Sequence, residues 1–156
     1  MKDDFSADLE HEHRLIDAGL DACLIADQRP LADRRADVAR ALQLLRRHIY
    51  FEEAYLFPPL RALGLAGPLA VMVREHAVMW ATITQLEATV DDPSGVSTEL
   101  CRDLRAQLAK HNGKEEAIVY TQARQLLPDA DQAELSKLVT TVEMPVAWTC
   151  EATGVR

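Results

Sequence analysis

A shift of 63 residues lays the most reactive side chains of this chain on one another: His13 on His76, His48 on His111 and Glu52 on Glu115. Four of the five histidines thereby form two copies of one pattern, a histidine followed one segment later by His-x-x-x-Glu. Residues four apart share one face of a helix, so His48 with Glu52, and His111 with Glu115, each aim an imidazole and a carboxylate the same way. Two such helices facing each other make a metal cage, which constrains the chain to helices whose ligand faces converge.

Ligands of an internal cage must sit on inward-facing apolar stripes. Four segments meet this condition. Leu9, His13, Ile16, Leu20 and Cys23 form the first stripe, and Val38, Ala41, Leu45, His48, Glu52 and Tyr55 the second. Leu69, Val73, His76, Trp80 and Ile83 form the third, and Leu104, Leu108, His111, Glu115 and Ile118 the fourth. None of these positions carries Lys or Arg. Burying carboxylates without a counter-charge costs at least several kcal/mol each, and a pair of bound dications supplies the missing positive charge.

The 156 residues suffice for one well-cored domain and are short for two. Few aromatics, with Gly and Pro collected between the periodic stretches, favour helix. A formal charge of −8 and a pI near 5.1 argue against a nucleic-acid or anionic-membrane partner. The start of the sequence lacks the charged-then-apolar pattern of a secretory signal, and no stretch reaches the apolar length of a membrane span, so a cytoplasmic protein is expected. Three widely spaced cysteines, Cys23, Cys101 and Cys150, do not suggest a disulfide framework.

Breakers divide the chain. Asp27 to Asp33, with Pro30, separates the first two helices; Pro58-Pro59 and the stretch from Gly64 to Pro68 end the second; Asp91 to Gly95 closes the third, and Ser97 or Thr98 caps the fourth. Short links between long helices imply antiparallel neighbours. The expected fold is all-α, an up-down-up-down antiparallel four-helix bundle over residues 1–128, with a short fifth helix near Ala130 to Glu143 and a tail, residues 129–156, packed on it through Trp148.

Several motifs resemble the hemerythrin family, specifically its HHE cation-binding domain. They are Glu12-His13-Arg14-Leu15-Ile16, His48-Ile49-Tyr50-Phe51-Glu52-Glu53 leading to Leu56-Phe57-Pro58, Glu75-His76, and His111-Asn112-Gly113-Lys114-Glu115-Glu116, together spanning about residues 5–127. The resemblance implies a non-haem di-iron centre, bridged by carboxylates and an oxo or hydroxo group, with His13, His48, Glu52, His76, His111 and Glu115 as metal ligands. Oxygen-carrying members have His-x-x-x-His on the third helix and His followed five later by Asp on the fourth. Here Trp80 follows His76, and Glu115 stands four after His111. That set is closer to the repair-of-iron-centres proteins and the small bacterial hemerythrin-like proteins.

Four imidazoles and two bridging carboxylates leave one octahedral position open on each iron, which favours reaction with nitric oxide, peroxide or oxygen over carriage. The alternative is a non-catalytic module that binds or senses oxygen, nitric oxide or iron. His11 lies about 200° from His13 around the helix and off the stripe. Tyr50 and Tyr55 are candidate phenolate ligands, with core packing the stronger expectation for Tyr55. A ferritin-like site needs Glu-x-x-His pairs, of which Glu10-x-x-His13 is an unrepeated match. Six ligands also exceed what a tetrahedral zinc site uses.

Overall fold

The computed structural model describes residues 4–24 and 29–154, and these are helical almost throughout. Helix α1 spans Phe5–Leu24. Asp4 caps it, its Oδ1 accepting the Ser6 N–H at 3.0 Å and the Ser6 hydroxyl at 2.6 Å. Helix α2 runs Leu31–Phe51, widens into a π turn at Glu52–Leu56, and continues through Phe57–Ala62. Helix α3 is Ala66–Glu87. Helix α4 repeats the design of α2: Thr98–Lys114, a π turn at Glu115–Val119, then Tyr120–Leu126. Helix α5 is Asp129–Thr141, and a 3₁₀ turn follows at Glu151–Gly154.

The breakers act where expected, with adjustments. Part of the first link, residues 25–28, lies outside the described residues, and α2 already begins at Leu31 behind Pro30. Pro58 and Pro59 do not end α2. They fall in the first turn of the segment after the π turn, where the fixed φ of proline suits a helix. The helix stops at Gly64, whose φ of +101° allows the Leu65 N–H to reach back to the Leu60 carbonyl and its own N–H to reach Arg61. Ser97 rather than Thr98 caps α4, accepting the Leu100 N–H.

Helices α1 and α2, α2 and α3, α3 and α4, and α4 and α1 pack against one another, closing the four-helix bundle. Gly19 marks the tightest approach: a Cβ there would stand 2.6 Å from that of Ala41. Helix α5 lies on α1, and its Leu135 and Val139 join the core formed by Phe5, Leu9, Leu60, Leu69 and Met72 at one end of the bundle. A second apolar core at the other end holds Ile16, Leu20, Leu42, Leu45, Ile83, Leu104 and Leu108. The buried histidines and glutamates form a layer between the two, and each large apolar side chain buried beside it offsets the cost by roughly 1.5–3 kcal/mol. Among the described residues no helix is long and apolar enough to cross a membrane.

Candidate metal centre

All six predicted donors converge in that layer. His13, His48, Glu52 and Glu115 form one group, and Glu52, His76, His111 and Glu115 another, each with its ligand atoms within 4.8 Å of one another and all of them buried. The two groups share both glutamates. Glu52 turns Oε1 toward His48 Nε2, at 3.1 Å, and Oε2 toward His76 Nε2, at 3.3 Å. Glu115 Oε2 stands 3.4 Å from both His13 Nε2 and His111 Nε2.

A second set of carboxylates orients the imidazoles. Glu12 on α1 accepts from His48 Nδ1 on α2 at 2.7 Å, and Glu53 on α2 from His76 on α3 at 2.8 Å. Glu75 on α3 accepts from His111 on α4 at 2.8 Å, and Glu116 on α4 from His13 on α1 at 2.8 Å. The ring of four contacts closes around the bundle and obeys the 63-residue repeat, Glu12 with Glu75 and Glu53 with Glu116. A carboxylate only accepts, so each Nδ1 carries its proton and each Nε2 faces inward as a potential ligand. Sequence reasoning missed these glutamates, although the repeat marks all four.

The ring is itself braced. Arg47 binds Glu12 at 2.8 Å and also donates to the carbonyls of Val139 and Val142 at the end of α5. The Glu151 N–H donates to Glu53 at 2.7 Å, and Lys114 pairs with Glu75. The segment after residue 128 thus supports two of the four outer carboxylates.

Both π turns begin at a shared glutamate. In each, the N–H five residues on bonds back to the glutamate carbonyl, Phe57 to Glu52 and Tyr120 to Glu115. The extra residue shifts the inward stripe by one, so the expectation for the ends of two stripes is corrected: Leu56 and Val119 are buried, Tyr55 is only half-buried and Ile118 is 48% exposed. The shift also delivers Tyr120, another residue missed from sequence. Its hydroxyl is buried 2.6 Å from Glu52 Oε1, 3.2 Å from Glu115 Oε2, 3.3 Å from His13 Nε2 and 3.4 Å from His48 Nε2.

Tyr50 and Tyr55 instead face each other at the flank, hydroxyls 3.5 Å apart, and Tyr50 packs on Trp148. Trp80 contacts Trp148 and lies beneath the Arg46 guanidinium. His11 is exposed. His13→Ala is therefore expected to lower metal content while His11→Ala leaves it unchanged; equal losses by elemental analysis would show that α1 presents a different face.

The donor set fits a cation pair better than it fits itself. His13 and His48 point Nε2 atoms at each other at 3.0 Å, and Glu52 Oε2, Glu115 Oε1 and His76 Nε2 are buried without a hydrogen bond. In the metal-free protein protons do part of that work. Burial opposes charge on His48, but Glu52 and Glu12 hold its pKa well above the usual value. For His76 burial is likewise outweighed, by Glu52 and Glu53, and the pKa rises to about 9. Burial and Glu115 push the Glu52 carboxyl upward, yet His48 and His76 hold it low, and His111 and His13 overcome burial to hold Glu115 well below the carboxylate range. Burial, then the charges of Glu115 and Glu52, keep the Tyr120 phenol protonated.

A raised histidine pKa stabilises the metal-free fold fully below about pH 6.5, and that contribution is lost as the pH rises through about 9. A cation competes with the same proton, so affinity for a divalent probe such as Co²⁺ should rise by up to tenfold per pH unit for each displaced proton, levelling off above about 9. Titrations giving one affinity across that range would contradict the proton displacement.

Residues 4–123 match the family model described as the hemerythrin HHE cation-binding domain. Comparison with curated proteins and with solved structures gave no match.

Proposed function

The chain belongs to the hemerythrin HHE cation-binding domain family, and we propose that it is a non-haem di-iron protein reacting with nitric oxide, peroxide or oxygen. The observation that carries this reading is the sharing of Glu52 and Glu115 between two histidine pairs, an arrangement that would hold two cations under common carboxylates. Imidazole and carboxylate together suit iron, and two shared carboxylates go beyond a closed tetrahedral zinc site. His13 and His48 would hold one iron, His76 and His111 the other. A bound iron pair supplies adjacent one-electron centres to a small molecule that exchanges two electrons.

The chain's own residues prepare the site for such chemistry. The outer glutamates fix the imidazole orientation. Phe57 stacks on His76 at 5.6 Å and Tyr120 on His13 at 5.8 Å, and with the flanking apolar cores they exclude water, which strengthens every charge interaction inside. Tyr120 places its oxygen within the layer, 2.6 Å from Glu52 Oε1. Glu116, with its side chain 40% exposed, links His13 Nδ1 to the surface. The three free thiols fit a reducing compartment, in keeping with a cytoplasmic protein.

The test is multiple turnover. Iron-loaded protein should consume many equivalents of hydrogen peroxide or nitric oxide per chain, at a rate that collapses in His76→Ala. Stoichiometric, reversible adduct formation without turnover would instead assign a binding or sensing role.

A further inference from the structure

The repeat that organises the centre is broken at one chemically decisive position. Phe57 and Tyr120 are 63 residues apart, each follows its π turn, and each stacks on the histidine at the start of the opposite half, Phe57 on His76 at an interplanar angle of 9° and Tyr120 on His13 at 20°. Only one of the two carries an oxygen.

We propose that Tyr120 is a protein ligand to the metal held by His13 and His48, and that the metal held by His76 and His111, with Phe57 in the corresponding place, is the one left open to small molecules. The inference rests on the two-metal reading above. A cation with bonds of about 2.1 Å in octahedral geometry sets adjacent ligand atoms about 3 Å apart. The donors of the first position trace such edges: His13 Nε2 to His48 Nε2 at 3.0 Å, His48 Nε2 to Glu52 Oε1 at 3.1 Å, and His13 Nε2 to Glu115 Oε2 at 3.4 Å. The Tyr120 oxygen stands 2.6–3.4 Å from all four of these atoms, as an apex over a four-cornered base.

A hydrogen bond alone does not account for that placement. A phenol has one proton to give, and its bond to Glu52 at 2.6 Å uses it. The remaining three contacts crowd a carboxylate oxygen and two ring nitrogens around that one oxygen inside a buried layer, more polar atoms than a single phenol proton serves, and a cation at their centre satisfies all of them. When the phenolate oxygen bonds to the metal, the phenol proton leaves to solvent and no electron changes hands. The two metals are then inequivalent in a pseudo-symmetric bundle. A small molecule meets an open coordination position beside Phe57 rather than beside Tyr120, so the two halves of the repeat divide into one closed and one reactive position.

The ferric protein supplies the test, because a phenolate bound to ferric iron gives a visible charge-transfer band with resonance-enhanced tyrosine vibrations. Iron content and Raman spectra would be measured for the native chain, for Tyr120→Phe, and for a Tyr50→Phe/Tyr55→Phe double variant, which leaves Tyr120 as the only one of the three tyrosines. The band is expected in the native chain and the double variant, and its complete loss in Tyr120→Phe with two irons retained. If Tyr120→Phe fails to load, the band in the double variant still assigns the phenolate. A chain holding two irons without phenolate vibrations, or a band surviving in Tyr120→Phe, would overturn this inference alone; a chain that takes up no iron would overturn the two-metal reading as well.

Discussion

Glu115→Ala is expected to empty both metal positions rather than one. Its carboxylate stands 3.4 Å from a histidine of each pair, so truncation removes a negative ligand from both cations at once and leaves the two pairs facing each other with less charge to bind them. Loss of an outer-shell partner typically costs about 10–100-fold in metal affinity, and loss of a shared inner carboxylate should cost at least about 100-fold at each position. Glu52→Ala should behave alike, since its two oxygens face different pairs. His13→Ala, by contrast, should spare the His76/His111 position. Elemental analysis of purified variants distinguishes these patterns, and a Glu115→Ala protein that still carries two tightly bound metals would show that the carboxylate is not shared.

Stripping both metals should lower the melting temperature by about 16–32 °C. A cation present at about 1,000 times its dissociation constant stabilises the fold by roughly 4 kcal/mol per site, and in a chain of about this size each kcal/mol moves Tm by roughly 2–4 °C. The mechanism is local. Without metal, Glu52 and Glu115 stay buried between two apolar cores with their charge met by imidazole protons and the Tyr120 hydroxyl, and three polar atoms of the layer lack hydrogen bonds. Scanning calorimetry before and after chelation, with readdition of metal as the control, measures the effect. An unchanged transition would mean that the layer is held by its own protons.

The convergence of the six inner side chains is legible in the sequence because two independent patterns agree on it: the apolar period of each helix places them inward, and the 63-residue repeat gives every one a partner. The bundle was legible for the same reason, since four stripes with short links leave few other arrangements. The outer glutamates escaped because the period of a single helix says nothing about contacts across helices. Glu12 and Glu53 each adjoin an inner donor in sequence, point about 100° away from it, and meet a histidine of the next helix. Tyr120 escaped for a different reason. On a regular α-helix it would lie about 140° around from Glu115, and only the π turn brings it beneath that residue. Nothing in local propensity announces such a turn, but its recurrence at Glu52 and Glu115 follows the repeat. The prolines follow the same logic: Pro58-Pro59 reads as a helix end, and the widened turn before it makes room for the helix to continue.

The central claim is that two metals share the buried carboxylates of one chain. It is tested most directly by iron analysis of the ferric protein combined with electron paramagnetic resonance. The account predicts two irons per chain and no signal from isolated high-spin ferric ions, because bridged neighbours couple their spins. One iron per chain with a strong isolated ferric signal would contradict it.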